Sequence, residues 1–413
     1  MTSDLPTTPS APSKPKTRLR TKFALALGGT LLGLLVAEVV ARFALGDRFV
    51  FGAHTGVPMT QVGRHDPLYG WTSRPDMESW IVARRFGYDF DYHVRLNSHG
   101  MRGPEIERTP TDGKFRVLLL GDSVTWGWGV DDDETYASIL RQKLGPDVDV
   151  VNAAVPGWGT DQVSMWLERE GEGWAPDLVL YCFIFNDIQS NARANIYGQN
   201  KPRFVAKPDG GLVLEGVPVE PKLSSFQRQT KWWRRRLAAY SALLRWSLLS
   251  DEPQTDGRAP MMRLVEESEL DPRSPEQHMI QKRMTSMINE VSNPAAVTHQ
   301  LLGRIRTKCD SLEAPLVVFG VPHGHDQYLY DPGHPLPEGT PTEPYLTPLS
   351  RRLRRAGRML GFPTFSVDQA FLEQVSKGIS LNCGDGHLNV RGNELVAEIL
   401  ASELAPYVEG GGK

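Results

Sequence analysis

The stretch RVLLLGDSVTWGWGV, residues 116–130, is the most informative part of the sequence. It starts with an apolar run of strand length and ends in a turn rich in Gly and Trp. A run that stays apolar at successive positions is typical of a parallel strand buried on both faces. Ser123 follows this strand directly, in a position where it either caps a helix or serves as the nucleophile of an enzyme.

Further apolar runs of strand length follow along the chain. The patterns DDDETYASILRQKLG and DQVSMWLEREGEGWAPD separate the first three runs and have helical periodicity. This βαβαβ alternation predicts an α/β fold, an open parallel sheet with helices on both faces. The later runs span residues 148–155, 177–186, 315–322 and 364–368.

Composition excludes several functional classes. The chain has 413 residues, 40% hydrophobic residues and a net charge of −3, so no basic field exists for nucleic acid. Its three cysteines, Cys182, Cys309 and Cys383, are too few for a disulfide framework. They also lack the Cys/His spacing of a zinc site.

The N-terminal region has the features of a targeting segment. Residues 1–22 form a basic leader rich in Pro, Ser and Thr, and an apolar stretch follows over 23–45. Three interpretations stay open: an uncleaved transmembrane signal anchor, a cleaved signal peptide and a buried soluble helix. The basic leader favours the anchor, with the rest of the chain exported to the periplasmic or extracellular side.

The remaining chain is divided into a β-rich lead-in over 47–110 and a larger domain over 111–408. The larger domain carries an insertion at about 189–300, which is too long for a simple crossover. Within the insertion, KWWRRRLAAYSALLRWSLL has the period of an amphipathic helix. This helix either packs on the core or presents its Trp/Arg face to a membrane or an anionic substrate.

Four blocks together resemble the GDSL/SGNH hydrolase family over roughly residues 90–405. They are GDSVTWGWGV, VNAAVPGWGTDQ, FIFNDI and GDGHLNVRGNELVAEIL, in this order. The resemblance implies a flavodoxin-like three-layer α/β/α domain with a five-stranded sheet. It also implies a serine esterase that needs no metal and no organic cofactor, and we expect it to act on short-chain, O-acetyl-type esters.

The resemblance also implies a role for each residue of the site. Ser123 would be the nucleophile and His387 the general base, with Asp385 holding the imidazole in its productive tautomer. The backbone N–H groups of Ser123 and Gly157, with the side-chain amide of Asn186, would form the oxyanion hole. In a sheet of strand order 2-1-3-4-5, the loops after the first three strands meet where the order reverses.

Two positions depart from the family pattern. The usual Asp-x-x-His spacing is replaced by Asp385-Gly386-His387, with Gly384 where the acid is expected. An acid from elsewhere, or a Ser–His pair without one, therefore stays an alternative to Asp385. Ile184 replaces the glycine that commonly precedes the Asn by two positions.

Other interpretations of the chain also stay open. The loop VPHGHDQYLYDPGH contains His323, His325, Asp326 and His334, which either bind a metal or line the substrate pocket. An O-acyltransferase acting on cell-surface polysaccharide would use the same covalent intermediate as an esterase. A non-catalytic carbohydrate-binding relative would keep the fold alone. The expected partner is an acyl ester, with acylated glycans and lipids as candidates.

Overall fold

A computed structural model gives the fold. It describes residues 19–45, 48–50, 62–85, 88–110, 113–191, 193–196, 199–207, 211–220, 294–322, 346–383 and 386–410. The strands, in chain order, are β1 (Arg48–Val50), β2 (Gly63–Asp66), β3 (Gly70–Ser73), β4 (Met77–Arg85), β5 (Tyr88–Leu96), β6 (Phe115–Leu120), β7 (Val148–Asn152), β8 (Leu178–Phe183), β9 (Asn195–Ile196), β10 (Gln199–Asn200), β11 (Arg203–Ala206), β12 (Leu212–Glu215), β13 (Leu316–Gly320) and β14 (Thr364–Ser366).

Helices connect the strands. They are α1 (Leu19–Leu45), α2 (Ser123–Trp126), α3 (Tyr136–Leu144), α4 (Thr160–Trp174), α5 (Phe185–Ser190), α6 (Pro294–Ser311), α7 (Pro348–Leu360), α8 (Asp368–Ser376) and α9 (Val390–Gly410). A short 3₁₀ helix spans Asp132–Glu134.

The central sheet has five parallel strands in the order β14-β13-β8-β6-β7. This is the predicted order 2-1-3-4-5, and the predicted parallel sheet is confirmed. The predicted runs are longer than the strands, because the residues at their carboxyl ends form the turns and helix starts that follow each strand. For example, the run 148–155 is a strand only over Val148–Asn152.

Alternate residues of each strand face opposite sides of the sheet, as the pleat requires. On one side, Leu118 and Leu120 of β6 pack in a core cluster with α4, α6 and α7. On the other, Val117 and Leu119 pack with α3, α8 and α9. Strands buried on both faces explain why the sequence pattern is continuously apolar.

The segment before the central sheet forms small β structures. Strands β4 and β5 pair antiparallel along nine residues each, and β1 pairs with β4. Ile81, Tyr92 and Val94 of this sheet share a buried cluster with Trp126, the last residue of α2, and with Ala154, which follows β7. The lead-in therefore packs directly against the segments that follow β6 and β7.

The described part of the predicted insertion contains two antiparallel pairs, β9 with β10 and β11 with β12. Helix α6 begins at Pro294 and packs on α4, so residues 294–300 belong to the crossover between β8 and β13. The predicted amphipathic helix at KWWRRRLAAYSALLRWSLL lies outside the described residues.

Helix α1 forms over the apolar stretch near the N-terminus and has 27 residues. Among the described residues, no helix has the length and apolar character needed to cross a membrane. The predicted transmembrane anchor over 23–45 therefore has no support in the structure.

Candidate active site

Ser123 lies in a sharp turn between β6 and the short helix α2. A Cβ atom on Gly121 would lie 2.1 Å from Oγ1 of Thr125, so only glycine fits the start of this turn. Asp122 caps the helix, because its carboxylate accepts a 3.0 Å hydrogen bond from the backbone N–H of Val124. The turn thus presents the Ser123 side chain, which is half-buried, at the carboxyl edge of the sheet.

His387 reaches Ser123 from the loop that precedes α9. Its Nε2 atom lies 2.8 Å from Oγ of Ser123, although the two residues are 264 positions apart. The backbone N–H of Cys383 donates to the carbonyl of His387 at 2.8 Å, and Asn382 and Leu388 form an antiparallel bridge. The His387 loop is thereby closed on itself, and its imidazole is within hydrogen-bond reach of the hydroxyl.

Asn186 lies beside the same turn, on the second residue of α5. Its side-chain Nδ2 donates to Oδ2 of Asp122 at 3.1 Å. The Ser123 hydroxyl lies 3.4 Å from the same carboxylate oxygen. The Asp122 carboxylate therefore links the Asn186 amide to the Ser123 turn, in addition to capping α2. The sequence did not reveal this second role.

Gly157 lies in the buried loop after β7, with a φ of +77° that favours glycine. The N–H of Val155 in this loop donates to the carbonyl of Gly121 at 3.3 Å, so the loop runs alongside the Ser123 turn. Trp71 of the lead-in fixes it further. The Trp71 indole donates to the Pro156 carbonyl at 3.1 Å, and the Trp158 indole donates to the Trp71 carbonyl at 2.9 Å.

Several predicted residues lie outside the described part of the chain. They are Asp385 with Gly384, and the loop residues His323, His325, Asp326 and His334. Within the described ranges, no cluster of His, Cys, Asp or Glu side chains could hold a metal ion.

Buried acids surround the carboxyl edge of the sheet. Asp187 follows Asn186, and its Oδ2 accepts a 2.9 Å bond from the N–H of Ile184. Burial, together with the charge of Asp122, raises the pKa of Asp187 well above its usual range. Strongly shifted carboxyl groups of this kind are frequent at functional sites.

A buried ion pair lies near the start of α4. The Lys201 ammonium pairs with the Asp161 carboxylate, and both side chains are fully buried. The ammonium also donates to the carbonyls of Ser190 and Pro202, each at 3.1 Å. Burial raises the pKa of Asp161 and lowers that of Lys201, while the attraction between the two opposes both shifts.

Sequence patterns missed three residues that support the loops of the site: Arg102, Trp71 and Lys201. Arg102 and Lys201 are single charged residues in irregular segments, and Trp71 is a single aromatic residue in the four-residue strand β3, so neither helical nor strand periodicity marks them. The one available signal was the pair of glycines around Arg102 in HGMRG, which marks a turn.

A model of the GDSL-like lipase/acylhydrolase family matches residues 119–395, more than half of the chain. The chain belongs to this family. It is a serine hydrolase that acts on ester bonds. A search of curated proteins finds no match.

The solved structures that are similar to this GDSL-like hydrolase are distant in sequence and have low TM-scores. A catalytic mutant of Axe2, an acetylxylan esterase from Geobacillus stearothermophilus, is 12% identical with a TM-score of 0.37, over 72% of this chain and 97% of that one. Est24, a carbohydrate acetylesterase from Sinorhizobium meliloti, is 12% identical with a TM-score of 0.34, over 71% and 99%. An aryl esterase from M. smegmatis is 15% identical with a TM-score of 0.32, over 70% and 98%.

Proposed function

We propose that this GDSL-like hydrolase cleaves short-chain, O-acetyl-type esters through an acyl-enzyme on Ser123. The observation that carries the proposal is the 2.8 Å distance between Nε2 of His387 and Oγ of Ser123. At this distance the imidazole can take the hydroxyl proton as the oxygen attacks the ester carbonyl. A free serine hydroxyl is a weak nucleophile without such a base.

The oxyanion of the tetrahedral intermediate would meet donors from three segments of the chain, which follow β6, β7 and β8. The Asn186 amide has two N–H groups, of which Asp122 accepts one, so the second is available to the oxyanion. The backbone N–H groups of Ser123 and Gly157 complete the proposed set. These donors are fixed by the fold before substrate arrives, which is the condition for large electrostatic stabilisation.

The imidazolium then returns its proton to the leaving alcohol oxygen. Water enters, His387 takes its proton, and the hydroxide oxygen attacks the acyl-enzyme carbonyl. Collapse of the second intermediate releases the carboxylic acid and returns the proton to Ser123. In this proposal Asp385 orients the imidazole through Nδ1.

Preference for a short acyl group is supported by the bulk of Trp128. Its ring lies against the imidazole of His387, with the ring centroids 5.8 Å apart. A large aromatic side chain at this distance limits the space beside the reacting atoms. We therefore expect acetate esters to react faster than esters of long-chain acids.

The test uses the purified full chain with p-nitrophenyl acetate, butyrate and octanoate, and labelling by a fluorophosphonate. The wild type should hydrolyse acetate fastest and be labelled, whereas Ser123→Ala should lose both activities. Ser376→Ala is the matched control, because Ser376 is an exposed serine at the end of α8. Retained labelling in Ser123→Ala would contradict the proposal, as would acyl transfer to added glycans in preference to water.

The role of Asp385 needs its own variant. Asp385→Asn should lower kcat strongly, because the imidazole loses the group that fixes its tautomer. An unchanged kcat would remove Asp385 from the mechanism and favour a Ser–His pair.

Export of the catalytic domain is also our proposal. It rests on the basic residues that precede the apolar stretch, an order typical of exported chains. A reporter enzyme that is active only outside the cytoplasm, fused to the C-terminus, should be active. An inactive but expressed fusion would contradict export.

A further inference from the structure

Arg102 lies just after β5, outside every predicted site motif. Its side chain is 1% exposed, which is unusual for an arginine. Its guanidinium donates to three carbonyls of the loop that follows Ser123. The acceptors are the carbonyl oxygens of Trp126 at 3.3 Å, Val130 at 2.6 Å and Gly127.

The remaining contacts of Arg102 tie this loop to the lead-in sheet. Nε donates to Oδ1 of Asp132 at 2.7 Å, and Nη2 donates to the carbonyl of His93 at 3.0 Å. A guanidinium has five N–H groups, and here it has five acceptors. Lysine could not replace it, because an ammonium has three donors on a single atom.

The loop held in this way carries Trp128. The backbone N–H of Trp128 donates to the carbonyl of Ser123 at 3.0 Å. The Trp128 ring contacts the rings of Tyr92 and His387, with centroid distances of 6.0 Å and 5.8 Å. On the same loop, the Trp126 ring lies under the Arg102 guanidinium at 4.7 Å.

We infer that Arg102 is a positioning residue for the reaction: it fixes the loop after Ser123 so that Trp128 keeps its place against the His387 imidazole. The inference rests on the proposed function of Ser123 and His387 and adds a residue to it. Arg102 touches no reacting atom and acts through Trp128. Catalysis tolerates little misplacement of a base, since a displacement of about 1 Å can cost roughly 10²-fold in rate.

A double-mutant cycle distinguishes positioning from a purely structural role. Arg102→Met and Trp128→Leu should each lower kcat/KM for p-nitrophenyl acetate, by up to about 10²-fold. If Arg102 acts through Trp128, the kcat/KM of the double variant should be little lower than that of the more impaired single variant. Residues that act independently give losses that multiply.

Arg116 provides the matched control. It is also a fully buried arginine, it pairs with an aspartate (Asp149, 2.9 Å) and it donates to backbone carbonyls, but it lies at the amino end of β6. Arg116→Met should leave kcat/KM per folded molecule nearly unchanged. Its combination with Trp128→Leu should show no coupling.

Should Arg102→Met fail to fold, Asp132→Asn keeps the guanidinium and weakens one of its five contacts. It should show the same coupling to Trp128→Leu with a smaller loss. The inference would be overturned if the losses of kcat/KM from Arg102→Met and Trp128→Leu multiplied in the double variant. It would also be overturned if Arg116→Met showed the same coupling to Trp128→Leu.

A readout that needs no activity separates this inference from the proposed function. The imidazole NMR signals of His387, assigned with His387→Gln, should shift in Arg102→Met and stay in place in Arg116→Met. Unshifted signals in Arg102→Met would contradict positioning even if Ser123 is the nucleophile. If the His387 signals shift in Arg102→Met but Ser123→Ala keeps its esterase activity, only the proposed function is contradicted.

Discussion

The two ends of strand β6 differ in how their buried charges are balanced. At the amino end, the buried Arg116 guanidinium meets the Asp149 carboxylate at 2.9 Å, with Lys114 at 3.3 Å from the same carboxylate. At the carboxyl end, among the described residues, Asp122 and Asp187 are buried next to each other, and the nearby buried ammonium of Lys201 pairs with Asp161 instead.

This difference separates stability from chemistry within one sheet. Charges at the amino end are paired with each other, so their removal should affect folding and little else. The carboxyl end places carboxylates, an imidazole and an amide around one hydroxyl, at the cost of a strongly shifted carboxyl pKa. Four predictions test how far this separation holds.

The largest effect on stability should come from the amino end. Arg116→Met should lower the free energy of unfolding by about 3–5 kcal/mol, because Asp149 loses its buried partner. We expect a value in the lower part of that range, because the Lys114 ammonium stays close to the Asp149 carboxylate and partly balances its charge. Urea unfolding gives the free energy. A large loss of kcat per folded molecule would show that the two ends are not separate.

At the carboxyl end, Asn186→Ala should act in the opposite way. Loss of one oxyanion donor should lower kcat by about 10²–10³-fold while the melting temperature changes little. Asn200→Ala is the control, since its side chain donates to the Glu220 carbonyl instead. Equal kcat in Asn186→Ala and Asn200→Ala would remove the amide from the oxyanion hole.

A smaller effect should depend on pH. Burial and the charge of Asp122 raise the pKa of Asp187, so the fold favours its protonated form. The stability that Asp187 contributes is present below the usual carboxyl pKa and is lost as the pH rises through the raised value. Asp187→Asn stays neutral, so it should gain stability relative to wild type as the pH rises.

Urea unfolding at about pH 4.5 and about pH 8 measures this gain. Asp133→Asn, at an exposed position of the 3₁₀ helix, should show no such pH dependence. If the free energies of unfolding of wild type and Asp187→Asn differ by the same amount at both pH values, the raised pKa of Asp187 is contradicted.

The smallest effect concerns thiol reactivity. Burial raises the pKa of the Cys309 thiol to about 12, and burial also raises the pKa of Cys182 well above its usual range. Both should react slowly with iodoacetamide in the folded protein, since the thiolate is the reactive form. Cys383 is half-buried in the His387 loop and should be alkylated first, with a fall in esterase activity.

Mass spectrometry gives the order of alkylation. Cys383→Ser should keep its activity during the same treatment. Equal loss of activity in Cys383→Ser and wild type would place the sensitive group elsewhere.

The apolar runs of the sequence predicted a parallel sheet with helices on both faces, and the resemblance to the GDSL/SGNH family implied its strand order. Strands buried on both faces must be apolar at successive positions, and right-handed crossovers leave few ways to arrange them. The same resemblance assigned Ser123, Gly157 and Asn186, each of which follows a recognisable strand. His387 was found through the block that precedes α9, and Asp385 stays a prediction because it lies outside the described residues.

Only the tertiary structure brought in the residues that support the site. Arg102 acts on carbonyls that lie up to 28 positions away, and Trp71 donates to a carbonyl 85 positions away. Such contacts leave no period in the sequence, since their partners are backbone atoms that every residue carries. Apolar patterning fixes which strands assemble, whereas the fit of single polar side chains to distant carbonyls is decided only when the chain has folded.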